Sequence, residues 1–330
     1  MPEIREGTTV KASSGGAMSA ADKHVPVLVD TCMELLAPAL DGPALLFDAT
    51  LGMGGHTEAA LTRFPELRVV GIDRDPEAIR LASERLAPFG DRFTAEHAEY
   101  DMIDEIAEKH GRPNAILMDL GVSSLQLDDA SRGFAYSQDA PLDMRMDTSQ
   151  GRTAAELIAE SSHGELARII SHYGEEKFAS RIASRIVEHP NRASLTTAEL
   201  AELVKSAIPA AARRTGGNPA KRTFQALRIA VNDELGILER AIPRAMAVLQ
   251  VGGRLVVESY HSLEDRIVKR AMQGMSASTT PIGVPIQMDS PPFRLLTKRA
   301  IQADEAEIAA NPRSASVRVR ACEKLHEGRR

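Results

Sequence analysis

The chain has 330 residues, 43% hydrophobic and 26% charged, with 46 acidic against 40 basic side chains and a net charge of −6. That size and balance give one large domain or two smaller ones with a buried core, and exclude a wholly disordered or membrane-embedded chain. Two cysteines, Cys32 and Cys322, cannot build a disulfide framework or a zinc site alone, which fits a reducing cytoplasm; the acidic balance excludes a histone-like cationic coat but not a local basic groove.

Residues 1–23 are small and polar, with Ser13-Ser14-Gly15-Gly16 and no apolar run long enough for a signal peptide. They read as a disordered tail, and Met1 and Met18 both stand as possible starts. Alternation begins after His24. Ala44–Ala49 (ALLFDA) reads as a buried parallel strand ending in an acid. Thr57–Arg63 is helical. Arg68–Asp73 (RVVGID) is a second strand ending in an acid, and Pro76 sits near the start of a helix running to about Leu86. Arg92–Ala95 reads as a short third strand, Asp101–His110 as a helix, and Ala115–Leu120 (AILMDL) as a fourth strand, again with an aspartate near its end. Such alternation predicts a doubly wound α/β fold, a parallel sheet with helices on both faces.

From about Asp128 to Leu238 no buried strand is legible. Ala154–Glu160, Gly164–His172, Glu175–Glu188 and Thr197–Ala207 read as amphipathic helices, the last started by Thr196-Thr197. Then Glu234–Leu249 is a helix, Gly252-Gly253 a turn, Arg254–Ser259 (RLVVES) a strand, and Val317–Ala321 a last strand with one solvated face. The longest charge-free stretch, Ala271–Met288, is rich in Ser, Thr, Pro and Gly and reads as a loop, not a bilayer span. The sequence thus predicts one α/β domain interrupted by a helical insertion of roughly 100 residues, itself the size of a small domain.

Asp48-Ala-Thr-Leu-Gly52-Met-Gly54-Gly55-His56 joins the first strand to a helix. Glycines there permit positive φ and let a ligand approach the backbone, and the helix start offers free N–H groups. A plain tight turn is the competing reading. Asp73, 21 residues after Gly52, is placed to bind both hydroxyls of an adenosine ribose, and Asp119 stands beside the same crevice as an acceptor for an adenine amino group. The dinucleotide fingerprint fails at its third glycine, where Thr57 stands, and no phosphate-loop lysine motif is present. Asp48 would repel a pyrophosphate and suits a cationic ligand end such as that of S-adenosylmethionine.

His24-Val-Pro-Val27, Asp48 to His56, Gly71-Ile-Asp-Arg-Asp-Pro76, Met118-Asp-Leu-Gly-Val-Ser-Ser124, Gln126-Leu-Asp-Asp129, Arg132-Gly-Phe134, Pro141-Leu-Asp-Met-Arg-Met-Asp147, Thr223 to Ile229 and Ser259-Tyr-His-Ser-Leu-Glu-Asp-Arg266 form a set of strings. Together they resemble the bacterial ribosomal RNA small-subunit methyltransferase H family. The resemblance runs from about residue 24 to 325. It implies a class I, Rossmann-like methyltransferase that uses S-adenosylmethionine to methylate the exocyclic N4 of one cytidine in the decoding region of 16S ribosomal RNA, within the small ribosomal subunit. Residues 24–131 with 232–330 would then form the cofactor domain, and residues 132–231 a substrate-recognition insertion. The family's cofactor contacts fall on Gly54, Gly55, His56, Asp73, Tyr100, Asp119 and Gln126; Tyr100 replaces a Phe of some relatives, and either ring lies against adenine.

The place after the fourth strand reads Asp119-Leu-Gly-Val, without the Pro-Pro-aromatic string of many amino-methyltransferases, so the sequence leaves the catalytic acceptor unassigned. Asp143, Asp147, Ser259 and His261 are candidates; salt bridging with Arg145 or loop capping is the plainer reading for the two aspartates, and a helix-start or packing role for His261. Nine histidines without ligand spacing give no metal signal. Arg213, Arg214, Lys221, Arg222 and Arg228 fall within Ala211–Ala230 without an acid, a partly flexible segment suited to phosphates, with Arg313, Arg318 and Arg320 as an extension. The expected enzyme is cytoplasmic, makes no membrane contact, and is a monomer or homodimer. Rival readings are a nicotinamide-dependent oxidoreductase, a methyltransferase of another nucleic acid, and a non-enzymatic RNA-binding assembly factor.

Overall fold

Every residue of β1 (Ala44–Asp48) is buried, and β2 (Leu67–Asp73) and β4 (Ala115–Asp119) are nearly so, because helices cover both faces of the sheet they form. The computed structural model describes residues 26–215, 217–278 and 290–327. The expected tail, residues 1–23, lies outside the described residues.

With β3 (Phe93–His97), β5 (Arg254–Ser259), β6 (Phe293–Leu295) and β7 (Arg318–Lys324), these strands make one seven-stranded sheet in the order β3-β2-β1-β4-β5-β7-β6. β3, β2, β1, β4 and β5 run parallel; β7 and β6 are antiparallel additions. The sequence reading found β7 but not its direction, and missed β6, which is too short to show a period. Strand order reverses between β1 and β4, and a doubly wound sheet opens its ligand crevice at such a point. The α/β class is the one the sequence predicts.

Side-chain alternation sorts the sheet into two faces. Leu46, Leu117 and Val256 pack with α1 (Val29–Leu36), α2 (Gly55–Arg63) and α3 (Pro76–Leu86). Phe47, Ile116, Met118 and Val257 pack with α4 (Ile103–His110), α11 (Glu234–Val248) and α12 (Ser262–Met275). The first five residues of the stretch read as a loop, Ala271 to Met275, close α12 instead, and residues 279–289 lie outside the described ones. Among the described residues no helix is long and apolar enough to cross a membrane.

Between β4 and α11 the described residues hold six α-helices and no strand longer than an isolated bridge: α5 (Ser124–Asp128), α6 (Ala154–Glu160), α7 (His163–Gly174), α8 (Ala179–Val187), α9 (Thr197–Ala207) and α10 (Lys221–Asn232). They enclose a third core that includes Leu157, Leu166, Ile182, Leu200, Val204 and Phe224. Thr153, Ser162 and Thr196 start α6, α7 and α9 with reciprocal capping boxes to Glu156, Glu165 and Glu199. The helix predicted from Glu175 begins four residues later, because Glu175 takes φ 49° as the left-handed end of α7. The basic segment read as partly loop is helical from Lys221 onward. α13 (Glu305–Ala310) precedes β7.

Candidate functional site

The glycine turn closes the C-terminal end of β1. Gly52 and Gly54 have φ 51° and 77°, left-handed values that suit glycine. Gly54 caps α2, and a Cβ there would lie 2.9 Å from Leu86 Cδ1; one on Gly55 would lie 2.6 Å from Pro26 Cγ. Asp48 lies beneath the turn: Thr57 Oγ1 donates to its Oδ2 at 2.6 Å, and it is 1% exposed. The acid expected to face a cationic ligand is instead a buried brace of the loop.

Asp73 Oδ2 accepts the Gly52 N–H at 2.8 Å and Oδ1 accepts the Asp75 N–H at 2.9 Å. These bonds tie the carboxylate to the turn at the edge of the crevice. Burial outweighs both bonds and pushes the carboxyl up to about 6.

Register places Asp119 opposite Glu258, and alternation puts Asp48, Asp119 and Glu258 on the α1–α3 face. Tyr260 Oη donates to Asp119 Oδ1 at 2.7 Å, and Asp119 Oδ2 lies 3.7 Å from His56 Nδ1. His56 Nε2 faces two acceptors, the Val27 carbonyl at 3.1 Å and Glu258 Oε2 at 3.3 Å, so this nitrogen carries a proton. Glu258 is fully buried; burial, then the charge of Asp119, push its carboxyl well up. Cys32, His56 and Glu258 bring possible metal-ligand atoms within 4.8 Å of one another, a grouping hidden by their separation in the chain. The Val27 carbonyl engages His56 Nε2, while both Glu258 oxygens are without a hydrogen-bond partner among the described residues.

Tyr100 lies on the other side of the sheet, packed against the core of α4 and α11. It lines a small cleft with Thr50, Arg74, Leu120, Gly121, Glu234 and Glu264. A second cleft, of about 600 Å³, opens at the opposite ends of the strands, beside Arg68 and Arg112, and holds no residue singled out in the sequence.

Gln126 uses both ends of its amide within the protein. Its Oε1 accepts from Ser123 N–H at 3.1 Å, and its Nε2 donates to Asp75 Oδ2 at 3.1 Å. Arg132 Nη2 reaches the same oxygen at 2.8 Å and also the carbonyls of Arg145 and Met146. This buried Asp75–Gln126–Arg132 knot joins the β2–α3 turn to the 140s loop. Sequence reasoning missed it because Asp75 and Arg132 are far apart in the chain. The structure therefore brings Gly54, Gly55, His56 and Asp119 together on one face, sets Asp73 at the turn, and puts Tyr100 and Gln126 on separate walls.

Among the catalytic candidates, Asp143 is held by Arg145 through two bonds of 2.8 Å; burial opposes its charge, yet Arg145 keeps its carboxyl below the usual range. Asp147 accepts from Ser149 and Gln150 and caps its turn. Ser259 is buried on the α4 face, its hydroxyl without a hydrogen-bond partner among the described residues. His261 caps α12. The plainer readings of Asp143, Asp147 and His261 are the ones the geometry displays.

Arg228 departs from the expected basic surface. It is turned inward, and its Nε and Nη2 each donate to Glu234 at 2.8 Å. Arg222 donates to the Glu175 carbonyl, and Lys221 is exposed. The side chain of Arg214 lies outside the described atoms. At the C-terminal end, Arg318 and Arg320 both pair with Asp265 and Arg313 with Asp128, so these three are tied to acids rather than forming an open extension.

Residues 21–325 match the sequence profile of the MraW methylase family. The ribosomal RNA small subunit methyltransferase H of Beutenbergia cavernae is 59% identical over 312 residues, covering 93% of this chain and 94% of that protein. That of Saccharopolyspora erythraea is 56% identical over 323 residues, covering 96% and 97%. Among solved structures, a rRNA methylase from Streptococcus thermophilus superposes with a TM-score of 0.43 at 14% identity over 92% of this chain and 99% of that one, too loosely to add to the topology above.

Proposed function

The chain belongs to the MraW methylase family, and from that premise we propose that it methylates the exocyclic N4 of a cytidine in the decoding region of 16S ribosomal RNA. The observation that carries this reading is near-complete coverage, at 59% identity, of a relative named ribosomal RNA small subunit methyltransferase H. It is an S-adenosylmethionine-dependent methyltransferase; the substrate position, the small-subunit context and a cytoplasmic location are our reading.

The crevice fits that cofactor on its own geometry. Side chains at Gly54 and Gly55 would collide with Leu86 and Pro26, so glycine lets the turn pack tightly against α3 and the Pro26 segment while its backbone stays open to a ligand's approach. Asp73 is fixed by two backbone N–H bonds with acceptor capacity left for ribose hydroxyls. Gly54, Gly55, His56, Asp73, Tyr100, Asp119 and Gln126 are the residues we assign to it, Gln126 through the knot it shares with Asp75 and Asp119 through the strand end it closes, its carboxylate being bonded to Tyr260. When bound, S-adenosylmethionine supplies an electrophilic methyl on a sulfonium.

The protein's own part is alignment and exclusion of water. Displacement at the methyl needs the amine in line at near-attack distance, so rigid walls matter more than acid–base groups. The cytosine amine is a poor nucleophile because its lone pair is delocalised into the ring, and an acceptor beside it localises that pair as the bond forms. We assign residues 24–131 and 232–330 to the cofactor domain, and residues 132–231 to a unit covering the substrate side. In a strain lacking the protein, digested small-subunit RNA should lose N4-methylated cytidine from one decoding-region position, and re-expression should restore it. An unchanged nucleoside profile would refute the substrate assignment.

A further inference from the structure

Two carboxylates line the cleft beside Tyr100, and only one is spent. Both oxygens of Glu234 accept from Arg228 at 2.8 Å. Glu264, 2% exposed, is anchored differently. Its Oε2 accepts the N–H groups of Tyr260 at 2.8 Å and His261 at 3.2 Å. Its Oε1 stands 3.1 Å from His261 Nε2, a nitrogen without a well-aligned hydrogen-bond partner among the described residues, so Oε1 keeps acceptor capacity. The rest of the wall is the Tyr100 ring, Gly121, Thr50, Arg74, whose guanidinium pairs with Glu99 at 2.9 Å, and apolar Leu120, Met146 and Leu238. Asp119, the acceptor singled out in the sequence for an amino group, points to the opposite face and is taken by Tyr260.

We propose that Glu264 Oε1 accepts a hydrogen bond from the exocyclic amino group of a nucleobase seated in this cleft. This rests on the methyltransferase reading, which supplies two such bases: adenine of the cofactor and the target cytosine. Burial opposes the Glu264 charge, but His261, Arg228 and the Tyr260 N–H together hold its carboxyl below the usual range, so the acceptor is ionised at neutral pH. An ionised acceptor prefers an amino group to a carbonyl at the same ring position.

Glu264→Gln tests this in the full chain, because the Gln carbonyl oxygen still serves the Tyr260 and His261 amides while the outward atom becomes a donor. Calorimetry with S-adenosylhomocysteine and its 6-oxo analogue S-inosylhomocysteine reads the adenine arm. Wild-type protein should prefer the adenosyl compound at least tenfold, and the variant should lose or reverse that preference; a purely structural role would weaken both ligands alike. The cytosine arm is read by turnover on small subunits from a strain lacking the protein. There the variant should bind both analogues as wild type does, yet transfer methyl at least tenfold more slowly. Unchanged base preference together with unchanged turnover would overturn the proposal. If Glu264→Gln does not fold, Glu264→Asp keeps the charge but withdraws its reach, and the same two readouts apply. Should wild-type protein label no subunit, the function reading fails separately, and the wild-type analogue ratio alone then decides: equal affinities overturn the proposal.

Discussion

Asp73 carries the clearest residue-scale prediction. Asp73→Asn should weaken S-adenosylmethionine binding roughly ten- to a hundredfold, since charge-assisted hydrogen bonds contribute about 1.5–3 kcal/mol. Calorimetry checks this; unaltered affinity would remove Asp73 from the cofactor site. Because burial raises the folded carboxyl to about 6, affinity should fall as pH drops through 6 in wild-type protein and not in the variant. The stability linkage has the opposite sign: the folded state holds the extra proton between the ordinary value of 3.8 and about 6, so this group's contribution to stability declines as pH rises across that window and is flat above it. Asn232 is a residue the sequence did not single out. It accepts from Met146 N–H at 2.8 Å and donates to the Met144 carbonyl at 2.7 Å, holding Met144 at φ 61°, a strained value for that residue. Asn232→Ala strands two buried backbone groups, and thermal unfolding should show a loss of about 2 kcal/mol or more. Asp73 was legible because it ends a strand at a telling distance from the glycines. The direction of Asp119, the inward turn of Arg228 and the burial of Asp48 were not, because pairing register and tertiary partners set them.

At the scale of elements, legibility followed local chemistry. α6 and α9 carry their own start signals, Thr with Glu three residues on, and their bounds match the sequence reading at both ends. Thr196→Ala should cost about 1 kcal/mol in chemical denaturation by freeing the Glu199 N–H; no change in the unfolding midpoint would mean that α9 is held by packing alone. α8 starts late because nothing in its sequence announces the left-handed Glu175 before it. α10 begins with Lys221 and Arg222 at its positive end, with neither an acid in its first turn nor a side-chain cap. Cations there are unfavourable by about 0.3–1 kcal/mol each. Arg222 offsets this by donating to the Glu175 carbonyl at the end of α7, whereas exposed Lys221 has no such compensation among the described residues and is the one free to meet a partner's phosphate.

The whole molecule follows from one alternation and one interruption. Buried strands ending in acids announced the parallel sheet, and the loss of alternation after β4 announced the helical stretch; β7 was legible from its alternation, but its antiparallel direction and the three-residue β6 escaped because no hairpin turn marks them. The net charge of −6 makes a local basic surface the natural route to RNA. Neutralising Arg213, Arg214, Lys221 and Arg222 should weaken RNA binding and shallow the dependence of affinity on salt, by roughly one unit of slope for each phosphate no longer neutralised. An unaltered slope would place the RNA elsewhere on the surface.

The most direct test is methyl transfer from labelled S-adenosylmethionine to small ribosomal subunits purified from a strain lacking this protein, with the modified nucleoside identified by mass spectrometry. Label should fall on N4 of a single decoding-region cytidine, and should be reduced with the Gly54→Ala protein, whose added Cβ stands in the left-handed region at φ 77° and meets Leu86 Cδ1 at 2.9 Å. Label on a different base, or no label from a protein that binds S-adenosylmethionine, would contradict the proposed function.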